Sequence, residues 1–182
     1  MPVVASRVSL QEKRREDPLP DTITIWHGAL IGIGATVTID IWGLVLWKLF
    51  QQPLANWGLI GRWAAHTPAL KFFHDNIREV PPIQNELTLG WIVHYGTGVI
   101  FGLAFGIIVG SSWFADPTVL QPLLFGLATV LFPWLLLQPG LGVGWAASKT
   151  PRPWKTRVLN LISHGLFGIG LWASALLLHA LK

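Results

Sequence analysis

The sequence predicts an all-α integral membrane bundle of four transmembrane helices with a partly helical first loop. Three observations carry that reading. The chain of 182 residues is 52% hydrophobic and 12% charged, against about 25% charged for an average soluble domain. Its charges fall almost entirely between four long apolar segments, the distribution of a polytopic membrane protein. Each segment has about the 20 residues needed to cross a hydrocarbon core.

The elements follow in chain order. Residues 1–21 form a polar tail containing Lys13, Arg14 and Arg15, and residues 22–182 form one four-span membrane domain. The apolar run from Ile23 to Phe50 far exceeds the ~7–15 residue core of a signal peptide, so it reads as an uncleaved first span. That span, 24–49, carries Trp26 and Trp47 at positions suited to the two interfaces. The second, 87–110, follows Asn85 as N-cap, with Glu86 at the positive end of the helix dipole. The third, 119–137, begins after Asp116-Pro117, a cap with a first-turn proline. Pro122 and Pro133 are expected to bend it, and Gln138-Pro139-Gly140 to stop it. The fourth, 158–181, has Thr156 as its cap.

The connections are unequal. Ser111–Asp116 reads as a tight turn, whereas the 37 residues from Phe50 to Glu86 join the first two spans. In that long loop, Thr67-Pro68 opens an expected short helix lying on the membrane surface. Leu70, Phe73 and Ile77 would share one face, with Lys71, Asp75 and Arg78 elsewhere. With four spans, this loop and the Gly140–Arg157 loop fall on one side. They hold Lys48, Arg62, Lys71, Arg78, Lys149, Arg152, Lys155 and Arg157; Arg7, Lys13, Arg14, Arg15 and Lys182 lie opposite. The positive-inside rule leans by a small margin toward cytoplasmic loops.

Several functions are excluded or unsupported. The net charge of +4 is spread over the tail and loops beside the spans, which fits anionic lipid headgroups rather than nucleic acid. There is no Cys, and Met1 is the only Met, so thiolate and internal thioether ligands are ruled out. Gly142–Ala147 fits a GxGxxA dinucleotide pattern but follows a span, not a strand, and is rejected. No P-loop is present, and Ser148 and Ser163 lack a nucleophile-elbow context. No catalytic set is read, and the protein is read as non-enzymatic.

Three spans carry one strongly polar residue at similar depth. At 1.5 Å per residue, Asp40 lies about 13 Å, His94 about 10 Å and His164 about 9 Å from the loop-bearing end. Ionisable groups in hydrocarbon are normally retained where they face one another or a wet cavity. Their helix faces agree as well. Gly90, His94, Gly98, Gly102, Gly106 and Gly110 recur every four residues as one stripe, matched by Gly28, Gly32, Thr36 and Asp40, and by His164 with Gly168. Such stripes let helices approach closely. Asp40, His94 and His164 are therefore the expected buried polar site. Arg62, His66, His74, Glu86, Tyr95 and Gln138 are candidates to cover its mouth. His27 and His179 sit at the opposite edge and read as interfacial.

The residue order resembles a bacterial family of small membrane proteins catalogued as a domain of unknown function, number 2938. The matching stretches are Asp40-Ile41-Trp42, Gly61-Arg62-Trp63 with His66, Gly90-Trp91 with His94-Tyr95, Gln138-Pro139-Gly140, Ala146–Pro151 and His164. The likeness runs from about Trp26 onward. It implies a bacterial inner-membrane protein and supplies no activity. The layout is similar, more distantly, to small inner-membrane proteins linked to acid resistance, which also carry His in their second and fourth spans.

Three readings remain open. One is a buried site for protons or a small ligand. Another is a structural or accessory subunit, alone or as a homo-oligomer, with the polar groups as interhelical glue worth about 0.6–2 kcal/mol per bond. The third is a haem b or metal carrier using His94 and His164 as a bis-imidazole pair.

Overall fold

The computed structural model describes residues 22–181, and the polar tail expected over 1–21 lies outside them. Five helices organise the described chain: α1 Thr22–Phe50, α2 Trp57–His66, α3 Glu86–Ala115, α4 Leu120–Gly140 and α5 Pro153–Ala180. Among the described residues there is no strand. All but α2 are long and apolar enough to cross a membrane. Ile41, Ile92, Leu124 and Leu177 stay largely exposed on them, as lipid-facing positions of a span do.

The glycine stripes form the α1–α3 seam. A Cβ at Gly32 would strike the Gly98 carbonyl, and one at Gly102 the Gly28 carbonyl. α5 packs on the other side of α1, and α4 packs on α5. At that second seam, Gly126 lies against the His164 carbonyl and Gly168 against the Pro122 carbonyl. Ile31, Ala35, Phe105, Trp113, Phe114, Phe167, Leu171 and Ala175 make the apolar core. It occupies the half of the bundle away from the two long loops, leaving the polar groups to the other half.

Several local expectations are corrected. The first-loop helix is α2, which ends at His66, and Thr67-Pro68 opens only a 3-10 turn. Leu70, at φ 59°, ends that turn in the left-handed region. The anticipated apolar face does not form: Ile77 is buried, but Leu70 and Phe73 are exposed. α2 also does not lie flat. It runs antiparallel to the first turns of α3, with Gly61 against the Glu86 carbonyl and the Trp57 carbonyl against Gly90. Its Trp57 end thus dips to the level of His94.

α3 does not stop at Gly110. That residue bends the chain at φ 71°, ψ 178°, a conformation open to glycine, and the helix resumes to Ala115. Asn85, Asp116 and Thr156 do not act as side-chain caps. Asn85 is left-handed with no capping bond, Val119 precedes α4, and α5 starts at Pro153, before Thr156. Pro122 falls in the first turn of α4, where a missing N–H costs no helical bond. Pro133 is the effective breaker: the helix passes through a π turn at Pro133–Leu137 and ends at Gly140. Gln138-Pro139-Gly140 is thus the last turn of α4.

Candidate functional site

The four-residue seam of α1 and α3 brings Asp40 and His94 together. His94 Nε2 lies 2.9 Å from Asp40 Oδ1, and the Tyr95 hydroxyl donates to Oδ2 at 2.8 Å. A carboxylate only accepts, so Nε2 of His94 carries the hydrogen and Nδ1 of the neutral ring is left a lone pair. Trp57, from the dipping end of α2, stacks on the His94 ring with centroids 3.9 Å apart and planes at 29°. The imidazole is therefore held from two sides.

His164 is positioned independently. Thr129 Oγ1 gives its hydrogen to the Gly126 carbonyl at 2.6 Å and stands 2.8 Å from His164 Nδ1. With the hydroxyl hydrogen already used, Nδ1–H must donate, leaving Nε2 as the acceptor. His164 makes no hydrogen bond to Asp40 or His94 among the described residues. It lines, with His94, one cavity of about 200 Å³. Thr36, Thr97, Thr129, Asn160 and Ser163 are among its polar lining residues, and Trp57, Trp63, Phe101, Phe132 and Phe167 among its aromatic ones. Asp40 reaches it only through His94.

The six expected cover residues divide. Tyr95 is a direct partner of Asp40. Gln138 donates from Nε2 to Asn160 Oδ1 at 2.9 Å, beside the bond from Trp134 Nε1 at 3.2 Å, while its own Oε1 is buried without a partner. Arg62 and Glu86 clamp the first loop. Arg62 Nε and Nη2 donate to the two Glu86 oxygens at 2.8 and 2.9 Å, and Nη1 donates to the Val80 and Ile77 carbonyls at 2.6 and 3.3 Å. The bond to Glu86 raises the Arg62 pKa against the opposing effect of burial. Glu86 also accepts from the Ile83 N–H at 3.2 Å. His66 and His74 form a pair at 3.1 Å, with His74 Nδ1 on the Gly140 carbonyl at 3.1 Å. Trp63 Nε1 donates to the Phe72 carbonyl at 2.8 Å. The loop is thereby tied across the end of α4, above the cavity-lining Trp63.

Among the described residues, no group of three or more His, Asp or Glu is placed to hold a metal ion. His94 and His164 are the two imidazoles on the cavity. Sequence reading did not single out Trp57, Thr129 or Asn160. Asn160 stood one turn before His164 and was legible as its neighbour; Trp57 and Thr129 depend on tertiary packing.

The profile of a family described as "Protein of unknown function (DUF2938)" matches residues 29–178. The chain belongs to the DUF2938 family. That match spans both seams from residue 29 onward, the loop clamp and all cavity-lining residues of this DUF2938 protein. No curated protein and no solved structure matches it.

Proposed function

We propose that this DUF2938 protein is a multi-pass protein of a bacterial inner membrane whose Asp40, His94 and His164 serve a buried site for a small ligand or protons. It carries out no covalent chemistry in this reading. One observation supports it most: two imidazoles from different helices line one cavity, each with a ring nitrogen that no group among the described residues occupies. Groups serving only as glue would have no reason to share a void. The volume of about 200 Å³ is near the ~150 Å³ of an engineered cavity that accepts benzene. It lies below the ~300–1,000 Å³ of drug-sized pockets. A porphyrin does not fit such a space, which favours a ligand of few heavy atoms over a haem.

Interhelical glue is the second reading, favoured by the way Asp40 ties α1 to both His94 and Tyr95 of α3. Imidazole-selective ¹⁵N NMR in detergent micelles separates the two. A neighbouring carboxylate biases an imidazole's protonation, so Asp40→Asn should change the His94 titration and leave that of His164 in place. Small molecules entering the cavity should shift both rings. Rings that ignore every added ligand, in a folded protein, would leave glue as the role of these residues.

A further inference from the structure

Three polar groups of the cavity lining have acceptor capacity left. His94 presents Nδ1 as a lone pair because Nε2–H is committed to Asp40. His164 presents Nε2 as a lone pair because Nδ1–H is committed to Thr129. Thr36 has spent its hydrogen on the Gly32 carbonyl at 2.8 Å and also has only acceptor capacity left. Among the described residues, no Lys or Arg lines the cavity. Asp40 backs His94 at 2.9 Å. The remaining walls include Trp63, Phe101, Phe132 and Phe167, whose ring faces are electron-rich.

From this we infer that the cavity takes a small organic ammonium ion, a deepening that rests on the small-ligand reading above. An ammonium group brings donors and no acceptors, so it complements the imidazole and threonine lone pairs. Its charge is balanced by Asp40 through the polarised His94 ring, and aromatic faces stabilise such cations further. Among the described residues no basic side chain lines the cavity to offset an anion's charge, and the carboxylate behind His94 opposes it. A metal ion would find two imidazoles without the further His, Asp or Glu ligands that a closed site uses. The Asn160 amide N–H groups and the Thr97 and Ser163 hydroxyls can serve the ligand's other end. At about 200 Å³, the space suits roughly eight heavy atoms, judged from the benzene-sized reference cavity.

Benzylammonium, benzyl alcohol and benzoate are probes of nearly one size that differ in charge. Their binding to the full-length protein in micelles would be followed by calorimetry and by the ¹⁵N shifts of His94 and His164. Parallel titrations into protein-free micelles correct for partition into detergent. Benzylammonium should bind tightest, and Asp40→Asn should weaken it about tenfold by removing the negative charge that polarises His94. Phe132→Leu, which leaves every polar group in place, should weaken the ammonium about fivefold and benzyl alcohol much less. Binding of benzyl alcohol or benzoate as tightly as benzylammonium would overturn the cation assignment and leave the small-ligand site standing. So would ammonium binding unchanged in both variants. If none of the three shifts either imidazole in the folded protein, the ligand site itself falls along with the inference.

Discussion

Gly140 offers its carbonyl to both the backbone N–H and the ring Nδ1–H of His74, at 3.2 and 3.1 Å. The neutral His74 ring then has only Nε2 free, as an acceptor, so His66 must donate to it from Nδ1. A proton arriving at this pair has His66 Nε2 as its site, because that atom alone can take it without breaking a bond. Burial, and then the neighbouring His74, Lys71 and Arg62, hold His66 below the ordinary histidine range. The sign follows from linkage. Below about pH 6.5 the unfolded chain binds this proton more readily than the folded one. Stability should be level above that value and fall as pH drops from it toward the lowered folded-state pKa. His66→Asn keeps a donor near Nδ1 and removes the titration. Thermal unfolding between about pH 8 and 5 should show a smaller acid-side loss in this variant. Equal losses would mean that the acid sensitivity resides elsewhere.

At the level of whole helices, the glycines are not equivalent, and their neighbours say which ones matter. A Cβ at Gly102 meets only backbone, the Gly28 carbonyl and the Gly32 N and Cα, so nothing there can yield. A Cβ at Gly96, on the same helix, meets nothing within 4 Å. Gly102→Ala should therefore cost about 1–3 kcal/mol through overpacking. Gly96→Ala should be neutral or gain up to about 1 kcal/mol from helix propensity. Denaturation in mixed micelles would check the pair, and a loss at Gly96 matching that at Gly102 would discredit the seam as the cause. The four-residue recurrence of these glycines was visible in the sequence because packing and spacing coincide there. α2 was not visible, since Trp57-Gly58-Leu59-Ile60-Gly61 has weak helix propensity. Gly61 and Gly90 make it a helix for a tertiary reason, by letting it press against α3. Thr67-Pro68 carried the stronger local signal and lost. Lys71 N–H returns to the His66 carbonyl at 3.2 Å and closes the chain after one turn.

Across the whole molecule, the bundle separates an apolar core from a polar half that the first loop covers. Depth counting from helix ends put Asp40 and His94 at levels where they meet at 2.9 Å, because a residue's height in a straight helix follows from its number. The same counting put His164 at the right level but not its partner. Thr129 sits just before the π turn at Pro133, where simple periodicity fails. Trp57 was hidden for a different reason: no local pattern tells that a loop helix turns inward. The arrangement also makes a test of topology available, since the chain has no cysteine and single cysteines can be introduced without background. Four crossings require the first loop and the 141–152 connection to share one face, with the α3–α4 turn on the other. Arg78→Cys, Lys149→Cys and Asp116→Cys each replace a side chain free of hydrogen bonds among the described residues, so none should disturb the fold. In sealed vesicles of one orientation, an impermeant maleimide should label Arg78→Cys and Lys149→Cys together. Asp116→Cys should react only after the membrane is opened, or the reverse if the loops face inward. Labelling of Asp116→Cys from the same face as the other two would mean that α3 does not cross, and the shared cavity of His94 and His164 would lose its frame.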